Sequence, residues 1–142
     1  MTYSPNLVGT RNLTLTIGGT EWTAQVTGAR ITSAAADSDV TTFADAASGG
    51  SRQYTLTFTG VADYQAASLW DEIYSHAGDT VAFVLPPYGG SASATDPQFS
   101  GNAVITEPDG DFIGGDANSS TTARFTYDAA WPCTAKPTRV TA

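Results

Sequence analysis

Apolar and hydroxyl-bearing side chains alternate along much of this chain. Leu13, Leu15 and Ile17 are separated by Thr14 and Thr16, and after Gly18-Gly19 the alternation resumes through Trp22, Ala24 and Val26. A period of two sends successive side chains to opposite faces of a strand. Two adjacent glycines accept the positive φ of a tight primed turn, so residues 13–26 predict a hairpin. Ala29-Arg30-Ile31-Thr32 either lengthens its second strand or begins another after Gly28. Tyr54, Leu56 and Phe58, interleaved with Thr55, Thr57 and Thr59, predict a further strand over 52–61.

The period then changes. Ala66, Leu69, Trp70, Ile73, Tyr74 and Ala77 recur at helical spacing and form one apolar stripe. Asp63 stands where an N-cap belongs and Gly78 where a helix stops. The spacing therefore predicts one helix over 64–77, with Leu69, Trp70, Ile73 and Tyr74 turned to the core. Val81, Phe83 and Leu85, with Ala82 and Val84 between them, make a nearly all-apolar run ended by Pro86-Pro87. Such a run predicts a strand covered on both faces, between the sheet and the helix.

A Gly/Ser/Ala loop over 88–97 leads to Phe99 and to Val104-Ile105-Thr106, followed by the turn-rich segment 107–116. Alternation returns through Ala123, Phe125 and Tyr127, before a proline-containing tail from Trp131 onward. Six or seven strands and one helix predict a mainly β fold, a sandwich or barrel closed on one side by that helix. Residues 33–51 interrupt this pattern with small and acidic residues, and only Val40 and Phe43 are sizeable apolar groups. A connection that long is either a surface loop or one that folds against a neighbouring subunit through Val40 and Phe43.

With 142 residues and 41% hydrophobic residues, the chain can build one core. The reading is a single domain over 1–142, with an N-terminal arm (1–11), the long loop (33–51) and a C-terminal arm (131–142). Fourteen Asp/Glu against six Lys/Arg give a net charge of -8. Arg11, Arg30, Arg52, Arg124, Lys136 and Arg139 are scattered, so the phosphate neutralisation that drives nucleic-acid binding has no basic stripe to act through. No apolar run reaches the roughly 20 residues of a membrane-spanning helix, and the first residues lack a signal-peptide pattern, which places synthesis in a cytoplasm.

Chemistry-bearing motifs are sparse. Cys133 is the only cysteine and His76 the only histidine. Cys133 reads as a small apolar filler, and His76 as a cation near the negative end of the helix dipole. No G-x-S-x-G elbow and no phosphate-cradling glycine loop is present. The run Asp109–Asp116 carries carboxylates and glycines as a calcium loop does, but it departs from the EF-hand spacing and reads as turn chemistry. Asn12-Leu13-Thr14 and Asn118-Ser119-Ser120 match the glycosylation triplet, which has meaning only in a secreted eukaryotic protein. The expectation is a protein without catalytic residues, metal or cofactor.

One extended set of residues is familiar. The run Arg52-Gln53-Tyr54-Thr55-Leu56-Thr57-Phe58-Thr59-Gly60-Val61-Ala62-Asp63-Tyr64 leads into Ala67-Ser68-Leu69-Trp70 and then His76-Ala77-Gly78. It is followed by a strand ending in prolines, Pro97-Gln98-Phe99-Ser100-Gly101, Gly114-Gly115-Asp116-Ala117 and Trp131-Pro132. In order and pattern, over roughly residues 20–135, this resembles the major tail proteins, or tail tube subunits, of long-tailed siphophages, particularly those of actinobacterial hosts.

The resemblance implies a tail-tube fold, a β-sandwich or barrel flanked by one helix. It implies a structural virion protein that self-assembles into hexameric rings, with strands of neighbours joined into a continuous barrel. The rings stack into the tube through which DNA passes during ejection into the host. It further implies assembly in the host cytoplasm, localisation to the virion, and the tape measure, tail terminator and tail tip proteins as partners. DNA would transit the lumen without specific binding, helped by acidic charge that repels phosphate. On this reading Val40, Phe43, Arg52, Trp131 and Arg139 are candidate inter-subunit contacts, the 33–51 loop reaches the adjacent ring, and the arms strap neighbouring subunits. The alternative from a different class is a carbohydrate-binding β-sandwich, with Trp22, Trp70, Trp131 and Tyr88 as sugar-stacking platforms.

Overall fold

The strands among the described residues sort into two antiparallel sheets, and the alternation read through Ala123, Phe125 and Tyr127 falls largely ahead of a strand that begins only at Thr126. The computed structural model describes residues 2–35, 42–47 and 52–142. Its elements are β1 (Thr16–Ile17), β2 (Thr20–Glu21), β3 (Val26–Ala35), the short helix α1 (Phe43–Ala47), β4 (Arg52–Val61), α2 (Leu69–His76), β5 (Thr80–Leu85), β6 (Gln98–Val104), β7 (Thr126–Pro132) and β8 (Thr138–Val140). One sheet runs β2-β1-β5-β6-β8 and the other β3-β4-β7. The fold is thus mainly β, and α2 is the one helix that contributes to the core.

The Gly18-Gly19 hairpin forms as predicted: both glycines have positive φ, and Ile17 pairs with Thr20. It is shorter than the alternation suggests. Trp22 donates its backbone N–H to the Leu15 carbonyl, and Thr23–Gln25 coil into a 3-10 turn. After that turn the chain enters the other sheet, so 29–32 belongs to a separate strand, β3, that runs on to Ala35. The first three residues of the predicted 33–51 loop are therefore strand.

The core fills the space between the sheets. From the first come Phe83, Leu85 and Ala103, together with Leu15 and Ile17, and from the second Leu56, Phe58, Tyr127, Ala129 and Trp131. Leu69, Trp70 and Ile73 of α2 join the same cluster. The prediction that the 81–85 strand is covered on both faces needs correction. Phe83 and Leu85 are buried, whereas Ala82 is exposed and Val84 half-buried. β5 lies within the first sheet and has one face in the core.

The predicted helix also begins five residues late. Asp63 accepts from the Gln65 N–H in a local turn and does not cap it. Ala67 sits at φ 65°, which breaks any helical run from Tyr64. Ser68 is the N-cap: its Oγ accepts from the Asp71 N–H at 3.1 Å, while the Asp71 carboxylate reaches back to the Ala67 N–H at 3.0 Å. This exchange has the logic of a capping box. At the other end Gly78, at φ 95°, donates to the Ile105 carbonyl at 2.7 Å and ties the helix to the end of β6. No helix among the described residues is long and apolar enough to cross a membrane.

Within the second sheet Gly60 lies opposite Tyr127, and a Cβ at Gly60 would overlap the Tyr127 ring. Gly60→Ala is accordingly expected to destabilise the fold by about 1–3 kcal/mol, read as a lowered denaturation midpoint. The Tyr127 hydroxyl is buried without a hydrogen-bond partner among the described residues. Burial, reinforced by the Asp63 carboxylate, pushes its pKa well above the ordinary value. Stability from this group is complete below about pH 10, the pKa of an exposed phenol, and falls as pH rises further, because the unfolded chain releases a proton that the folded one retains. Tyr127→Phe should leave stability at pH 7 equal or higher and flatten the alkaline decline measured by denaturant titration from pH 8 to 11.

Candidate assembly surface

β3 and β4 form a ribbon in register from Ala29↔Phe58 through Ile31↔Leu56 and Ser33↔Tyr54 to Ala35↔Arg52. These pairs point to the side of the sheet that holds the core. Leu56 and Phe58 are buried there, but Ser33, Ala35 and Arg52 are exposed. The last four residues of β3, Thr32–Ala35, are thus exposed, with Tyr54 opposite Ser33 half-buried. The connection past this ribbon carries α1, where the Phe43 side chain is 97% exposed. It is the most exposed large apolar side chain among the described residues.

The residues singled out from sequence fall into different environments. Val40 lies outside the described residues. Arg52 is turned along the ribbon, its guanidinium donating to Ser33 Oγ at 3.0 and 3.3 Å. Arg139 is exposed on β8, the outermost strand of the first sheet, opposite Phe99.

Trp131 is corrected from a contact residue to a core residue. It has no exposed surface, lies opposite Leu56, and meets the Phe58 ring edge-on at 4.9 Å. The C-terminal arm expected over 131–142 is partly strand: Trp131 and Pro132 end β7, and Thr138–Val140 pair with β6.

Leu69, Trp70 and Ile73 are buried as expected, but Tyr74 is not a core residue: it is 58% exposed. It stacks on Trp70 at 5.0 Å, while Tyr64 and Phe112 flank the same indole. The Trp70 indole N–H donates to the Phe112 carbonyl at 2.9 Å, which anchors the 107–116 segment over the helix. Sequence reading missed Phe112. The signal was an adjacent Phe-Ile pair inside an otherwise acidic turn.

Burial of Trp22, Trp70 and Trp131 removes three of the four sugar platforms envisaged from sequence. The fourth, Tyr88, donates its hydroxyl to the Asn6 carbonyl at 2.7 Å, helping to hold the N-terminal segment. His76 Nδ1 lies 3.4 Å from Asp79 in an exposed pair at the helix end. Burial raises the Cys133 thiol pKa, partly opposed by a backbone hydrogen bond at Leu56. That environment disfavours the reactive thiolate.

The strand edges complete the surface. The first sheet ends in two short strands, β2 and β8, but the second ends in β3, with ten residues, and β7, with seven. Trp131→Ala is expected to lower folding stability by about 3–5 kcal/mol, as large-to-small changes at fully buried aromatics do, with the loss visible in the thermal melt of the isolated chain. A scan against family models finds no match to this chain, and a search of curated proteins finds none either.

Proposed function

We propose that this chain is the tail tube subunit of a long-tailed bacteriophage, a structural protein whose copies join edge to edge into hexameric rings that stack around a DNA channel. The observation that carries this reading is the three-stranded second sheet, whose outer strands, β3 with ten residues and β7 with seven, have no further strand beside them among the described residues. Free edges of this length invite pairing, and a ring in which β7 of one copy meets β3 of the next closes them all. The sequence resemblance supports the same reading.

A barrel built from second sheets has one face toward the channel. The face that packs on the first sheet and α2 cannot be that one, since those layers would fill the bore. The channel is then lined by the opposite face, on which Arg30, Thr32, Thr55, Thr57, Thr59 and Asp128 alternate with the core residues. This face is rich in hydroxyls, with Asp128 accepting from the Thr59 hydroxyl at 2.7 Å. One base and one acid per copy leave it close to neutral. Phosphate finds no basic track to bind there, so DNA passes without adhering.

Negative-stain electron microscopy of the purified protein over a concentration series tests the reading. Hollow tubes or stacked rings with a central channel are expected to grow in number with concentration. Particles of single-copy size at every concentration would overturn it.

A further inference from the structure

The ribbon of β3 and β4 outruns the sheet it packs on, and the overhang opens a groove at that end of the sandwich. One wall is Ile31 and Tyr54 of the ribbon; the other is Leu85, Pro87 and Phe99, with Pro137 closing the side. The groove has a volume of about 360 Å³. An apolar cavity of ~150 Å³ already accommodates a benzene ring.

Its polar rim has one sign. Lys136 lines the groove, and Ser33, also in the lining, holds the Arg52 guanidinium at its mouth. Among the described residues no carboxylate lines it, in a chain whose acids outnumber its bases fourteen to six. The exposed Phe43 belongs to a segment of opposite character, Phe43-Ala44-Asp45-Ala46-Ala47, with one acid and no base.

We infer that this groove is the receptor for α1 of a second copy of the chain, with Phe43 seated among the apolar walls and the acidic segment facing Lys136 and Arg52. The inference rests on the tube reading and adds to it the surface that receives the loop. Knob and groove are separate surfaces of one chain, so their contact is head-to-tail and propagates from copy to copy. Each contact buries an aromatic side chain that is otherwise in water, the kind of anchor that dominates binding energy.

Two variants, each removing one half of the contact, test this in sedimentation experiments: Phe43→Asp, and Ser33→Trp combined with Lys136→Glu. The substituted side chains are exposed, so thermal melts matching the wild type are expected and serve as the check on folding. Each variant alone is expected to associate about 30-fold or more weakly than the wild type, the effect of losing a binding hot spot. Each should stop at the unit that its remaining contacts build. An equimolar mixture of the two retains one intact knob and one intact groove, so it should double the mass of that unit and go no further.

Wild-type assembly by both variants, or a mixture that does not double, would overturn the pairing and leave the tube reading standing. A wild type that never associates would overturn both. Phe43→Cys with Pro87→Cys on a Cys133→Ser background separates the remaining occupant. Oxidation is expected to give a ladder of linked chains, and a disulfide confined to single chains would mean that the groove receives its own α1 and would overturn the inference.

Discussion

The contact on which the rest depends is the packing of β4 between its two neighbours. On the core side Phe58 is flanked by Ala29 of β3 and Ala129 of β7, Leu56 by Ile31 and Trp131, and Gly60 faces Tyr127. Phe58 sits between two alanines and Tyr127 against a glycine, so these two rings each have a gap to enter. Phe58 meets Trp131 edge-on, the arrangement that aromatic quadrupoles favour. This jigsaw fixes the register of β3 and β7 on β4, because a slip of one residue would turn the whole set to the opposite face.

With register fixed there, the mismatch between the sheets follows. β3 and β4 are ten residues each, but the facing strands β5 and β6 are six and seven. The shorter sheet cannot cover the longer ribbon. The surplus leaves Tyr54 half-buried, Ser33 and Arg52 exposed, and a connection whose Phe43 touches little of its own body. The overhang, the groove beneath it and the exposed ring are three consequences of one difference in strand length.

The strands were legible because their outward positions are so often threonine: Thr55, Thr57 and Thr59 expose the period of two directly. The existence of α2 was legible from its stripe, but its start was not, since Tyr64 and Ala66 also fit that stripe. A hydroxyl cap at Ser68 and a left-handed Ala67 decide the boundary, and both depend on backbone geometry that periodicity does not encode. Trp131 was misread for a similar reason. A tryptophan followed by proline near a chain end suggests a tail, yet proline is tolerated on an edge strand, and β7 is one. Of the candidate surface, the isolated apolar character of Phe43 could be picked out. The groove could not, because its walls come from strands far apart in sequence and exist only where one sheet outruns the other.

On the proposed tube reading, Pro132 also bears on how the edge of β7 would receive a neighbour. Cys133 donates its N–H to Tyr54 of β4, and the Phe125 carbonyl accepts from Ala62 just past β4, so odd-numbered residues of this stretch point toward β4. Thr126, Asp128, Ala130 and Pro132 then face the open edge, and the last of these has no N–H to offer. Immediately beyond, Thr134 donates to Asn102, and Cys133 bridges to Ala103 of β6, which closes the edge against the first sheet. The open edge of β7 is therefore a track with three donors and a fixed stop. Strands of alternating threonine carry little register information of their own on a solvent face. In the proposed ring, a proline stop at the sheet junction would supply it, giving an added strand one place to end.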